Sequence, residues 1–146
     1  MSFELAVDEA FRVGLLTAVQ SGELVVLLTH LQIDEILAMP TDKLAKQAVL
    51  LQHLGQIPAS RRPTAGIVWN VSRWDEGTWA SDEDAALYAD LTGGNPAHAE
   101  DVLLILTSRR ENATLVTKDK SARGRAAKVG VPTMTPNEFR ALVVKT

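Results

Sequence analysis

The sequence predicts an α/β fold, a three-layer α/β/α sandwich around a mostly parallel central sheet. Two apolar runs of strand length, residues 24–28 and 113–116, match strands that are buried on both faces. Stretches with helical periodicity separate such runs, and strands that alternate with helices form parallel sheets. A length of 146 residues suits one domain with its own core. We therefore predict a single domain over residues 1–146.

In the first half of the chain, short apolar runs predict strands and helical periodicity predicts helices. Thr29 is a residue type that prefers the N-cap position of a helix, and Gly22 and Gly55 are residues that commonly end one. The predicted elements here are strands at residues 3–7, 24–28 and 66–69, and helices at residues 10–20, 30–38 and about 41–54.

In the second half, two motifs fix where helices begin. Ser81 is a good N-cap, and residues 135–138 combine an N-cap threonine, a proline at the first helical position and a glutamate at the third. Residues 102–106 are apolar all round, which predicts a deeply buried helix. The predicted elements are helices at residues 83–91, 97–110 and 120–129, a last helix from residue 136, and strands at residues 113–116 and 131–134.

The composition excludes several classes of protein. The absence of cysteine excludes disulfides, thiolate metal sites and cysteine nucleophiles. The longest apolar runs are too short to cross a bilayer, and residues 1–5 lack the features of a signal peptide. We therefore expect a cytoplasmic protein that does not contact a membrane. Because the net charge is −3, binding of a nucleic acid requires a local basic patch.

Four acidic residues lie near predicted strand ends or helix starts. Asp8 ends the first strand, Glu35 lies on the helix after the second, Asp101 is early in the buried helix, and Asp119 follows residues 113–116 together with Thr117. Ligands of parallel α/β folds bind beyond the carboxyl ends of strands. Clustered carboxylates need a cation, and oxygen ligands suit Mg²⁺ or Mn²⁺. Such a metal activates water for the hydrolysis of a phosphodiester.

Each acid also has a purely structural interpretation. Asp8 and Asp119 are good helix N-caps, and Asp101 in a first helical turn suits the helix dipole. Glu35 stands beside Asp34, and periodicity does not choose between them. The catalytic interpretation therefore depends on several acids meeting at one edge of the sheet.

Three motifs of the sequence resemble the PIN-domain family of metal-dependent ribonucleases, which includes the VapC-type toxins of toxin–antitoxin pairs. The motifs are residues 116–119, 29–35 and 94–101, and residues 130–131 and 135–139 are similar in style. By this resemblance Asp8, Glu35, Asp101 and Asp119 are catalytic residues that bind Mg²⁺ or Mn²⁺, and the Thr117 hydroxyl supports them. The resemblance spans nearly the whole chain. It implies a nuclease that hydrolyses RNA, forms a homodimer and binds a small antitoxin protein.

The sequence departs from the family pattern after Asp8. Glu9 and Ala10 stand where members usually have Thr or Ser and then Asn. This departure favours an alternative, a catalytically degenerate PIN-like module that binds RNA or protein. A further alternative is phosphoryl transfer on a domain like a response-regulator receiver, although no phosphoacceptor aspartate follows the predicted strand at residues 66–69.

Basic residues are dense around Asp119. Lys118, Lys120 and Arg123 are predicted to bind RNA phosphates, with Arg125 nearby on the same helix. The alternative is a solvated amphipathic helix.

Three tryptophans recur every five residues, at Trp69, Trp74 and Trp79. We expect them to pack in a local hydrophobic cluster or a dimer contact, and the alternative is that they stack on bases. His98 lies one helical turn before Asp101. Its position fits either a structural role at the start of the helix or contact with the predicted site.

Overall fold

The computed structural model describes residues 3–57, 59–68, 72 and 75–144. The chain divides into two compact units. Unit 1 comprises Met1–Arg61 and Pro136–Thr146, and unit 2 comprises Arg62–Thr135. The single domain over residues 1–146 stays a prediction.

The described chain combines helices with two-residue strands that pair in parallel, so the predicted α/β class is confirmed. The helices are α1 (Phe3–Ala6), α2 (Glu9–Gln20), α3 (His30–Leu37), α4 (Leu44–Gln56), α5 (Asp82–Thr92), α6 (Ala99–Arg110), α7 (Lys120–Lys128) and α8 (Pro136–Val143). The strands are β1 (Leu27–Leu28), β2 (Ser60–Arg61), β3 (Leu115–Val116) and β4 (Thr133–Met134). Single 3₁₀ turns precede α4 at Thr41–Lys43 and α6 at Pro96–His98. In the described ranges no helix is both long and apolar enough to cross a bilayer.

The strands pair in parallel within each unit. In unit 1, β1 pairs with β2, so that Leu27 lies opposite Ser60. In unit 2, β3 pairs with β4, so that Leu115 lies opposite Thr133. Parallel pairing was predicted, and the described residues contain it as two separate two-stranded sheets.

The predicted first strand at residues 3–7 is wrong, because Phe3–Ala6 forms the helix α1. Leu5 and Ala6 are both buried, although a strand would point adjacent side chains to opposite faces. Leu5 packs with Phe11, and Ala6 packs with Ile36. An apolar run this short does not distinguish helix from strand, so tertiary packing decides its conformation.

The predicted strand at residues 66–69 is also wrong for its described part. Residues 66–68 form no strand, whereas Ser60–Arg61 forms β2 between the predicted helix at about 41–54 and this segment, where no strand was predicted. Pairing with β1 explains this, since a polar strand is stable when a partner supplies the hydrogen bonds. Trp69 lies outside the described residues.

The remaining strands are shorter and more exposed than predicted. Val25 lies outside β1 and is 67% exposed, and Val116 at the end of β3 is 39% exposed. In a two-stranded sheet each strand has one edge without a neighbouring strand. The segments at residues 24–28 and 113–116 are therefore less covered than a central strand would be.

The helix starts predicted at Thr29 and Ser81 are confirmed. Thr29 caps α3 in a capping box, in which its hydroxyl accepts from the Leu31 amide at 3.2 Å and Gln32 Oε1 accepts from the Thr29 amide at 2.9 Å. Ser81 caps α5 by accepting from the Asp84 amide at 3.1 Å. These contacts use orphan amides of the first helical turn.

Each unit has its own apolar core. In unit 2 the predicted burial of α6 is confirmed, since Val102, Ile105 and Leu106 are buried in one cluster. In unit 1 a cluster centred on Phe11 joins α2 to the C-terminal helix α8, and the Phe11 and Phe139 rings meet edge to face at 5.6 Å.

Gly14 permits a close approach between α2 and α8. A Cβ at this position would lie 2.7 Å from the Val143 carbonyl oxygen and 3.1 Å from Val143 Cγ1. Both are shorter than ordinary van der Waals contacts, so only glycine fits without movement of α8.

We expect Gly14→Ala to lower the free energy of unfolding by about 1–3 kcal/mol, because overpacking outweighs the better helix propensity of alanine. Gly55→Ala on α4 is the control, because nothing lies within 4 Å of the added Cβ. It should be neutral or slightly stabilising. Urea unfolding measures both, and equal stability of the two variants would contradict the close packing of α2 and α8.

Candidate functional site

The four predicted acids divide between the two units. Asp8 and Glu35 belong to unit 1, and Asp101 and Asp119 belong to unit 2.

Asp8 is the N-cap of α2 and also forms an ion pair. Its Oδ1 accepts a hydrogen bond from the Phe11 amide at 3.0 Å. Its Oδ2 accepts from Arg140 Nε at 2.5 Å, so a residue of α8 engages the other oxygen. The structural interpretation of Asp8 as a helix cap is therefore confirmed, and both carboxylate oxygens already have donors.

These donors change the acidity of Asp8. The Arg140 hydrogen bond, followed by the Phe11 amide, lowers the pKa of Asp8 below its ordinary value of 3.8. The carboxylate is thus charged at neutral pH, as a metal ligand must be.

On α3, the two adjacent acids have different surroundings. Asp34 Oδ2 lies 2.8 Å from Nδ1 of His30, whose side chain is fully buried. Glu35 is exposed. Of the two acids that the sequence left open, Glu35 is therefore the more exposed.

Asp101 faces a basic residue that the sequence did not pair with it. Arg125 of α7 lies with Nη1 4.0 Å from Asp101 Oδ2, and its Nη2 lies 3.0–3.1 Å from both ring nitrogens of His98. The Arg125 side chain is largely buried, at 14% exposure. His98 and Asp101 are thus joined through one guanidinium, and His98 does contact the surroundings of a predicted site residue.

Asp119 and Thr117 form the turn between β3 and α7. The Thr117 hydroxyl accepts a hydrogen bond from the Asp119 amide at 3.1 Å. Asp119 caps α7, because its Oδ1 accepts from the Ser121 amide at 2.8 Å and the Ala122 amide at 3.3 Å. The predicted position beyond the carboxyl end of a parallel strand is confirmed for both residues.

The basic residues beside Asp119 differ in their contacts. Lys118 and Lys120 are exposed. Arg123 is half-buried, and its Nε is buried without a hydrogen-bond partner. In the described part of unit 2, every other arginine has a side-chain hydrogen bond or ion pair, namely Arg62, Arg109, Arg110 and Arg125. Arg123 is therefore the arginine in this part of the chain with a buried side-chain nitrogen that lacks an acceptor.

Trp79 is 80% exposed, so it is not buried in a hydrophobic cluster of unit 2, and the predicted dimer contact stays a prediction. Trp69 and Trp74 lie outside the described residues.

Oxygen ligands from aspartate and glutamate suit Mg²⁺ or Mn²⁺. Within the described part of each unit, no group of three or more His, Asp or Glu side chains is arranged to hold a metal ion. Asp8 does not fit this role as it stands, because Arg140 and the Phe11 amide engage its oxygens. Asp119 fits better, because both of its capping bonds use Oδ1.

Two contacts of these acids lie beyond the reach of sequence rules. Arg140 is 132 positions from Asp8, and Arg125 lies on a different helix from Asp101. Only the density of basic residues over positions 118–128 pointed to Arg125 as a residue near the predicted site. Nothing in the sequence distinguishes Arg140 from an exposed surface arginine.

Comparisons with known proteins give no family. No protein-family model matches the chain, and no curated protein and no solved structure shows significant similarity to it. The resemblance to PIN-domain ribonucleases therefore stays a prediction from short motifs.

We expect Arg140→Gln to lower the free energy of unfolding at neutral pH, and this effect to disappear in acid. Because the folded-state pKa of Asp8 is depressed, its contribution is present above the ordinary value of 3.8 and is lost as the pH falls through the folded pKa. Urea unfolding from neutral pH to about pH 2 measures the difference from the parent. Lys43→Gln, an exposed cation of the same unit, is the control. A deficit for Arg140→Gln that stayed constant across this range would contradict the ion pair.

Proposed function

We propose that this chain is a metal-dependent endoribonuclease, which hydrolyses RNA phosphodiester bonds with Mg²⁺ or Mn²⁺. The proposal includes the finer fold, a three-layer α/β/α sandwich of PIN type with a mostly parallel sheet. The substrate-binding part lies in unit 2, at the turn between β3 and α7.

Arg123 is the observation that supports this proposal most. A buried N–H without an acceptor costs free energy, and a guanidinium binds phosphate with paired hydrogen bonds. The side chain is half-buried next to a helix start, with the exposed Lys118 and Lys120 close in sequence. An RNA phosphate on the solvent side of this guanidinium would balance the charges of Arg123, Lys118 and Lys120.

Asp119 and Asp101 are the acids that we assign to the reaction in unit 2. Asp119 keeps Oδ2 clear of its capping bonds, and Thr117 holds the turn from which it projects. A bound metal ion would supply an activated water and neutralise charge on the phosphate. Asp8 and Glu35 are ligands by the resemblance alone, and the engaged oxygens of Asp8 do not support that role.

The exposed Trp79 favours the stacking alternative for this ring. It belongs to unit 2 and offers an aromatic face, on which an unpaired base can stack. The resemblance extends the proposal to a cytoplasmic toxin that forms a homodimer and is neutralised by a small antitoxin.

A second candidate is an RNA-binding module without metal-dependent activity. The engagement of both Asp8 oxygens, by Arg140 and by the Phe11 amide, favours it. In this case unit 2 would bind RNA, and the acids would serve only as caps and ion-pair partners.

An RNA cleavage assay in Mn²⁺ distinguishes the nuclease from the RNA-binding module. We expect Asp119→Asn and Asp101→Asn to reduce cleavage by at least about 100-fold, the upper range of what loss of an outer-shell partner costs. Asparagine is as good an N-cap as aspartate, so Asp119→Asn keeps the start of α7. Glu100→Gln, which alters the exposed acid next to Asp101, is the control and should cleave as the parent does.

Each outcome of this experiment selects one account. If both asparagine variants cleave as well as the parent, the assignment of the acids is wrong. If the parent binds RNA but does not cleave it in Mn²⁺ or Mg²⁺, the second candidate replaces the first.

A further inference from the structure

A small cavity lies between α2 and α4 in unit 1. Its volume is about 110 Å³. Three polar and three apolar residues line it: Arg12, His53, Gln56, Val13, Leu16 and Ile57. It shares no residue with the acids and bases assigned to RNA hydrolysis, so it is independent of that proposal.

His53 is a buried polar residue whose Nε2 has no partner among the described residues. Its side chain is only 3% exposed, and its ring lies 6.1 Å from the Phe11 ring at a tilted angle. A buried nitrogen without a hydrogen bond costs free energy, so such an atom in a cavity wall calls for an acceptor or donor. The Phe11 contact holds the ring in place but supplies neither.

Arg12 supplies a positive charge to the same cavity. It is exposed, and it lies close enough to His53 to act on its charge. Burial, followed by the charge of Arg12, lowers the pKa of His53. The imidazole is therefore neutral at neutral pH, and Arg12 is the cation of the cavity wall.

The apolar side of the cavity is partly open to solvent. Val13 is 58% exposed and Leu16 is 40% exposed, and both lie on α2 next to Arg12. Inorganic phosphate has no apolar surface to cover these side chains. A short hydrocarbon chain would cover Val13 and Leu16, and an anionic group at its end would pair with the charge of Arg12 beside His53.

We propose that this cavity binds a small aliphatic monocarboxylate. The carboxylate accepts hydrogen bonds from the Arg12 guanidinium, with Gln56 at the edge, and a small movement of the His53 ring would bring its buried Nε2–H to the same carboxylate. The hydrocarbon part lies against Val13, Leu16 and Ile57. The volume suits a ligand of few heavy atoms, since an apolar cavity of about 150 Å³ holds benzene.

Butyrate is the probe that tests this site. The full chain, labelled with ¹⁵N, is titrated with sodium butyrate at constant ionic strength, and amide and histidine ring resonances are followed by NMR. We expect saturable shifts at His53 and Ile57, with a dissociation constant on the order of 1 mM, which the ligand efficiency of so small a molecule allows. Butyramide and inorganic phosphate should each bind at least about 10-fold more weakly, because one lacks the charge and the other the chain.

Two variants and a control make the test specific. Arg12→Gln should weaken butyrate binding about 10-fold or more, since it removes a charge that is hydrogen-bonded to the carboxylate. This residue is exposed, so the variant keeps the fold even if His53→Gln does not. Lys43→Gln, an exposed cation outside the cavity, should bind as the parent does. The proposal is overturned if butyrate gives no saturable shift, if butyramide binds equally well, or if Arg12→Gln binds as the parent does.

Discussion

The ion pair between Asp8 and Arg140 links helix α8 to the start of α2 in unit 1, across 132 positions of the sequence. The chain leaves this unit after Arg61 and returns at Pro136, so the short helix α8 must be held by contacts to α2. The close approach at Gly14 and the ring contact of Phe11 act in the same direction. A carboxylate placed at this junction stabilises the fold, and its oxygens are engaged before any ligand arrives.

In unit 2 as well, one carboxylate has two roles: it caps the start of a helix and it lies just beyond the end of a parallel strand. Asp119 uses one oxygen to cap α7, while Thr117 fixes the turn before it. The N-terminus of a helix favours negative charge, whether it belongs to a side chain or to a phosphate. Capping and phosphate chemistry therefore select the same residue types at the same places. The contacts of Arg123 and Arg125 distinguish a capping role from phosphate binding near α7. Protein groups contact the Arg125 guanidinium, whereas the buried Nε of Arg123 lacks an acceptor.

Local rules predicted the helices well and the strands poorly. Thr29 and Ser81 begin helices as expected, because an N-cap depends only on the few residues that follow it. The conformation of residues 3–7 and 66–69 depends on packing and on distant partners, which periodicity does not contain. For the site, the sequence named Thr117 and Asp119 at the correct end of a strand. It did not name Arg140, because an ion pair across 132 positions leaves no local pattern.

The salt dependence of RNA binding tests the central claim, that Arg123 contacts a phosphate. Affinity for a short single-stranded RNA is measured over a range of salt concentrations without divalent metal, so that no cleavage occurs. Arg123→Gln should bind about 10-fold more weakly and lower the slope of log affinity against log salt by about 0.7, the value for one phosphate contact on a single strand. Arg109→Gln removes an arginine of the same unit that Glu83 already pairs at 2.6 Å, and it should match the parent. Equal affinities and slopes for Arg123→Gln and Arg109→Gln would contradict the claim.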